Sequence, residues 1–255
     1  MTMRSKLAAI LALVFLASCG DDGGTGGNGG NGGNGSSDDG QLSSSGGEEP
    51  DSMQTLAGTM TYGGRTYKTI QIGSQTWMAE NLNYEYKVEG STYGNWCYND
   101  SAQYCERYGR LYTWAAAMDS ATTGCGYGKT CTASSGKVQG VCPTGWHLPS
   151  KAEWNTLFTA VGGADSAGTM LKSTEGWEDG DNGTDAYGFS ALPSGNRNSD
   201  GHFNYAGSRA YFWPSSEYVQ DGAYNVYLDY YDADAYQNVG NKDCGFAVRC
   251  VKDAD

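Results

Sequence analysis

The chain has 255 residues and a formal charge of −13, and is unusually rich in Gly (39) and Tyr (19) against only 6 Phe and 5 Pro. That length allows one or two domains. So acidic a chain repels phosphate backbones and anionic headgroups, which excludes nucleic acid as an expected partner and leaves cations and neutral polymers open.

The first 18 residues have the three parts of an export signal. Arg4 and Lys6 supply the charged start, and residues 7–17 form an unbroken apolar run. The run is shorter than the about 20 residues a membrane-spanning helix needs. It ends in Leu16-Ala17-Ser18-Cys19, which resembles the lipobox of bacterial lipoproteins. That resemblance implies cleavage before Cys19 and acylation of its sulfur, hence a membrane partner through a lipid anchor. Gly20-Asp21-Asp22 is similar to the acidic signals of outer-membrane lipoproteins displayed at the surface. Residues 19–52 continue in Gly, Asn, Ser and acid, with almost no apolar side chain to offset ordering entropy. They read as a disordered tether, and 53–255 as one globular domain.

Within that domain, residues 66–72 alternate like a strand and turn at Gly73-Ser74 into a second strand, 75–79. A first helix is expected at 111–119, where Leu111, Trp114, Ala115 and Met118 share a face. The second is marked by a capping box, Ser150-Lys-Ala-Glu153, followed by Trp154, Leu157, Phe158 and Val161 on one side and stopped by Gly162-Gly163. A short third helix is expected at 167–172. Beyond Thr184 the pattern changes to short strands at 187–192, 211–213, 224–230 and 245–251. Hairpin, helices, then strands is an α+β order.

Setting Cys19 aside leaves seven cysteines. An exported domain meets an oxidising compartment, so bridges are expected. Local spacing suggests Cys97–Cys105 and Cys125–Cys131. Cys142–Cys250 would be a long-range tie, leaving Cys244 as the odd thiol. Spacing alone does not fix this connectivity. Zinc is the competing use, but there is no Cys-x-x-Cys and only two histidines.

Several stretches resemble the Fibrobacter succinogenes major paralogous domain. They are the segment 64–84 (Gly-Arg-Thr-Tyr-Lys-Thr-Ile-Gln-Ile-Gly-Ser-Gln-Thr-Trp-Met-Ala-Glu-Asn-Leu-Asn-Tyr), Tyr108-Gly-Arg-Leu-Tyr-Thr-Trp114, the Cys142-Pro-Thr-Gly-Trp-His-Leu-Pro-Ser stretch running to Trp154, and Gly245-Phe-Ala-Val-Arg-Cys-Val251. The resemblance spans about 57–253 and implies an exported lipoprotein. The Leu-Pro-Ser-x-Ala-Glu-Trp helix start and the terminal Gly-Phe-x-Val-Arg are also similar to the formylglycine-generating enzymes. That similarity implies a C-type-lectin-like domain whose two ends pair and whose loop-rich half carries the binding surface. Those enzymes depend on a close pair of late cysteines that binds copper. Here the late pair is Cys244 and Cys250, and Cys250 sits in the terminal strand motif where a structural bridge is expected. A divergent oxidase is therefore the minor alternative, and the expectation is a non-catalytic protein.

Other chemistry is sparse. Gly128-Lys129-Thr130 resembles part of a phosphate loop, but the earlier glycine is replaced by Thr123. His147 beside the helix cap reads as a packed structural residue, and His202 as a loop residue. Segment 178–185 packs acids among small residues, and Asp179, Asp181 and Asp185 are candidate ligands for calcium. A solvated acidic loop is the plainer reading.

The aromatic pattern is more informative. Alternation over 224–231 puts Tyr224, Val226, Leu228 and Tyr230 on one side and Asn225, Tyr227, Asp229 and Tyr231 on the other. Rings flanked by amide and carboxylate groups suit a polysaccharide, and tyrosine also suits an envelope-protein contact. Trp177, Arg209 and Trp213 are further candidates by proximity in sequence. A structural envelope lipoprotein with no small ligand is the alternative.

Overall fold

The structure is a computed structural model that describes Cys19 and residues 57–254; the expected signal and most of the tether lie outside the described residues. Among the described residues no helix is long and apolar enough to cross a membrane.

The domain opens with β1 (Ala57–Tyr62), β2 (Arg65–Ile72) and β3 (Gln75–Met78), an antiparallel meander. The β1–β2 turn holds Gly63 at φ 58° and Gly64 at φ 79°, the left-handed pair that a two-residue hairpin requires. Two small ladders follow: β4 (Lys87–Val88) with β5 (Ser91–Thr92), and β6 (Asn95–Trp96) with β7 (Leu111–Tyr112). Between β6 and β7 lies α1 (Ala102–Tyr108), a helix the sequence reading missed.

The helix expected at 111–119 is broken in two. Leu111 and Tyr112 are drawn into strand pairing, and the Tyr112 amide donates to the Phe246 carbonyl at 2.7 Å. Thr113 then caps α2 (Trp114–Ala117), and Asp119 at φ 52° separates it from α3 (Ser120–Thr123). After β8 (Trp146–His147) comes α4 (Lys151–Ala160), whose capping box forms as expected, with both Ser150 and Glu153 engaged. The chain turns at Gly162-Gly163 directly into α5 (Ala164–Leu171), three residues earlier than expected because Gly163 itself supplies the cap position.

The second half builds a sheet from β9 (Ser194–Arg197), β10 (Phe203–Ala206), β11 (Arg209–Phe212), β12 (Glu217–Val219), β13 (Gly222–Asp229) and β14 (Ala235–Asn241). Its order is β10-β9-β11-β13, with β14 along one edge of β13 and β11 and β12 sharing the other. Segment 187–192, expected as a strand, contributes only the single bridge Ala191↔Lys172. Segment 245–251 is a stitch more than a strand. Gly245, Phe246 and Ala247 each bridge a different element (Arg197, Tyr112 and Phe212), and only β15 (Val251–Lys252) is regular. β15 lies between β3 and β8, so the end of the domain closes the sheet opened by its first hairpin.

Two buried clusters flank the second sheet. One joins Trp77, Trp154, Leu157, Phe189, Phe212, Val226 and Leu228, with the Trp77 and Trp154 rings 4.8 Å apart. The other joins Tyr67, Tyr112, Trp114, Tyr211, Trp213, Tyr227 and Phe246. Each large apolar side chain removed from water contributes about 1.5–3 kcal/mol. Disulfides join Cys97 to Cys105, Cys125 to Cys131 and Cys142 to Cys250. Cys244 is not left over: it is bonded to Cys19. The fully buried Lys242 ammonium holds the 125–131 loop by donating to the Gly126 and Lys129 carbonyls.

Candidate recognition site

Strand β13 alternates as its sequence requires, and its two sides have different chemistry. Val226 and Leu228 enter the Trp154 cluster, while Tyr227 enters the Tyr112 cluster, flanked along the strand by Asn225 and Asp229. The register extends the second side across neighbouring strands. Tyr211 of β11 lies opposite Tyr227, Arg209 opposite Asp229, and on the far edge Tyr236 and Asn238 of β14 lie opposite Tyr227 and Asn225. Ala210 and Gly195 pair in parallel, which puts Ser194 and Asn196 of β9 on the Tyr211 side.

The rings on this side form a continuous tile. Tyr227 stacks on Tyr236 at 4.8 Å and meets Tyr211 at 5.6 Å; Tyr211 stacks on Phe246 at 4.9 Å. Tyr205, at φ 64°, brings its ring 6.3 Å from Tyr211. The Arg209 guanidinium lies over Tyr205 at 4.8 Å, while its Nε donates to Asp229 Oδ2 at 2.6 Å and its Nη1 to the Tyr211 hydroxyl at 3.0 Å. Tyr236 donates its hydroxyl to the Asp232 carboxylate, and this bond, with partial desolvation, holds the phenol above its ordinary pKa.

The expected face is thus assembled, but it does not open to solvent as predicted. Asn225, Tyr227 and Asp229 are buried, Tyr227 being only 8% exposed, with the Tyr236 and Tyr211 rings beside it and Phe246 stacked on Tyr211. Only Tyr231, past the end of β13, is exposed, at 64%. Trp177 and Trp213 are core residues, which corrects their placement at a binding surface. The Trp213 indole donates to the Tyr112 carbonyl, and that of Trp177 to Ser173 Oγ and the Ala191 carbonyl. Sequence reasoning missed Ser194, Asn196, Tyr205, Tyr211 and Tyr236 as members of this face.

Unmatched polar atoms gather on this face, although the other cluster also holds one, Trp154 Nε1. Ser194 Oγ, Asn196 Oδ1, Asn225 Oδ1 and Asp229 Oδ1 are buried and have no hydrogen-bond partner. Leaving a buried polar atom unmatched costs about 1–3 kcal/mol. Cys19 reaches the same region: the Asn196 side-chain amide donates to its carbonyl at 2.7 Å, and its sulfur is bonded to Cys244. A sulfur so bonded has no valence for a lipid, so this geometry conflicts with acylation of Cys19 in the same molecule.

The other expected sites separate. Both Asp185 oxygens are taken by Ser190, from its amide at 2.7 Å and its hydroxyl at 2.6 Å. Asp179 sits in a single 3-10 turn, and Asn182 closes the loop by accepting from the Trp177 amide. Asp179, Asp181 and Asp185 do not converge, and among the described residues no three His, Cys, Asp or Glu side chains are grouped to hold a metal ion. Cys250 and Cys244 are each bonded elsewhere, so they form no reactive pair.

His147 is clamped between Glu153 (Nε2 to Oε1, 2.6 Å) and Asp253 (Nδ1 to Oδ1, 2.6 Å). Although burial opposes the charge, these two carboxylates raise the imidazole pKa. Glu153 is held at about 2, against its own desolvation, by His147 and Ser150. The clamp ties the α4 cap to the end of the domain. A separate cleft of about 270 Å³ has Arg249 as a lining residue. This guanidinium is spent on Asn81 and on the carbonyls of Met78, Phe189 and Ser190.

A family model described as Fibrobacter succinogenes major domain matches residues 70–252. The chain belongs to this family. No curated protein and no solved structure matches it. The Fibrobacter succinogenes major domain match takes in both sheets' central strands, the three bridges within the domain and every residue of the tyrosine face. It does not reach Cys19, so the residue that meets Asn196 and Cys244 comes from outside the matched segment.

Proposed function

We propose that this protein is a non-catalytic recognition module, held at the outer membrane by lipid on Cys19, that binds polysaccharide through the tyrosine-and-amide face of β9, β11, β13 and β14. The observation that carries this reading is the set of four buried, unpartnered polar atoms beside stacked tyrosines on one side of one sheet. Sugars present hydroxyls to such atoms and flat C–H faces to such rings. The rim residues Tyr205, Tyr236 and Arg209 are half-buried, and Tyr231 is exposed, which gives a ligand an edge to approach. We assign the fold to the C-type-lectin-like class, supported by the pairing of the domain's ends in one sheet.

The test is a pull-down on insoluble cellulose, chitin and xylan with the full chain and a Tyr231→Ala, Tyr236→Ala variant. At least one glycan should retain the parent, and the variant should bind about tenfold or more weakly, the equivalent of roughly 1.4 kcal/mol. Retention of both proteins alike, or of neither, would count against the proposal. A structural envelope role is favoured by one observation, the burial of Tyr227 between Tyr211 and Tyr236, and it predicts no retention on any glycan.

A further inference from the structure

We propose that Cys19 is a removable plug of the tyrosine-face site: bonded to Cys244 it closes the site, and carrying lipid it leaves the site open. This rests on the reading of that face as a recognition site and of Cys19 as the acylated residue.

Cys19 is only 2% exposed and belongs to the same buried cluster as Tyr211, Tyr227 and Phe246, against which Tyr236 packs. It is held at two points, by the Asn196 amide on its carbonyl and by Cys244 on its sulfur. Neither partner depends on it for position. Asn196 is fixed in β9 by its register with Asn204, and Cys244 is fixed by its own amide donating to the Asn241 carbonyl at 2.9 Å. Withdrawing Cys19 therefore leaves a preformed recess. Asn196 then offers both ends of its amide and Cys244 a thiol, near the Ser194 hydroxyl, which has no partner even with the plug in place. The group that fills the recess is a peptide carbonyl, so the site takes a neutral acceptor oxygen, as an acetamido or hydroxyl-bearing sugar would supply.

The two fates of the sulfur exclude each other. In acylation the Cys19 S–H bond and a phospholipid C–O bond break, and an S–C thioether forms. The phosphate headgroup leaves with the proton. In plugging, the Cys19 and Cys244 S–H bonds break and S–S forms. The two electrons and two protons pass to a protein disulfide of the exporting compartment, which becomes a dithiol. A buried residue with 2% exposure has no room for acyl chains, so the lipidated chain must hold Cys19 elsewhere.

The experiment compares the acylated chain, extracted in mild detergent, with the same mature chain exported behind a signal cleaved before Cys19 without acylation. Native iodoacetamide labelling with peptide mapping should modify Cys244 in the acylated form about tenfold or more faster than in the other, as exposure governs thiol access. The non-acylated form should show a Cys19–Cys244 linkage and no free thiol. Its Cys19→Ser variant, which cannot form the bond, should regain glycan retention to the acylated level. Two free thiols in the non-acylated chain, or a Cys244 inert to native labelling in the acylated one, would overturn the plug. Equal retention of both forms on glycan would also overturn it while sparing the recognition reading. The expected thiol pattern with no glycan retained by any form would support the covalent exchange and remove the recognition reading instead.

Discussion

The two sides of strand β13 are built from neighbouring residues and are equally hidden from water, yet they are not equally finished. On one side Val226 and Leu228 meet Trp154, Phe212 and Phe189, apolar surface against apolar surface. On the other, Asn225, Tyr227 and Asp229 bring polar atoms into a buried layer that leaves several of them unmatched. A core selected for stability alone avoids such atoms. Burial therefore does not distinguish the two sides, but the concentration of unmatched polar atoms does: Asn225 Oδ1 and Asp229 Oδ1 stand with Ser194 Oγ and Asn196 Oδ1 on one side, against Trp154 Nε1 in the apolar cluster on the other.

The largest test of this contrast is Leu228→Ala. It removes a fully enclosed side chain from the finished side and should cost about 2–5 kcal/mol in urea unfolding with disulfides intact. A cost below about 1 kcal/mol would mean that this side is as loosely built as the other.

The clamp at His147 gives an intermediate, pH-dependent effect on the finished side's supporting helix. The raised His147 pKa means its contribution is fully present below the unfolded-state value of about 6.5 and is lost as pH rises through the folded value. Glu153 works in the opposite direction. Its contribution is present above the ordinary 4.5 and is lost as pH falls through about 2. The parent should therefore exceed a His147→Gln variant in stability most clearly between about pH 4.5 and 6.5, with the gap narrowing on either side. A gap independent of pH would show that packing, not charge, holds the clamp.

The smallest effect is expected at the unfinished side. Ser194→Ala deletes a buried hydroxyl with no partner and should raise stability by about 1 kcal/mol, the low end of the cost of leaving it unmatched. A loss of more than about 1 kcal/mol would show that the hydroxyl is matched after all, and the contrast between the two sides would fail.

What the sequence made legible follows from the range of the forces involved. The α4 cap is set by residues three apart, and the Gly73-Ser74 turn by adjacent ones, so these features were readable locally. The alternation of β13 was readable for the same reason. The breaking of 111–119 was not, because the Phe246 carbonyl that takes the Tyr112 amide comes from far along the chain. Trp177 and Trp213 were misplaced because an indole looks the same in sequence whether its N–H meets a sugar or a backbone carbonyl. Asn225, Tyr227 and Asp229 were grouped on one side, but the rings that crowd Tyr227 come from β11 and β14, which no alternation in β13 announces. The pairing of Cys19 was hidden because a lipidation signal and a disulfide half look alike in sequence.

The position of Val251–Lys252 between Gln75–Met78 and Trp146–His147 bears on how the protein is made. A chain synthesised from its N-terminal end delivers the β3 edge early and its closing strand late. Cys142 must wait for a partner 108 residues behind it. Throughout that interval the hairpin presents an unpaired edge, the kind of surface that recruits other strands. Folding of this domain should therefore depend on whatever shields that edge until synthesis is nearly complete. The local pairs Cys97–Cys105 and Cys125–Cys131 can close well before it.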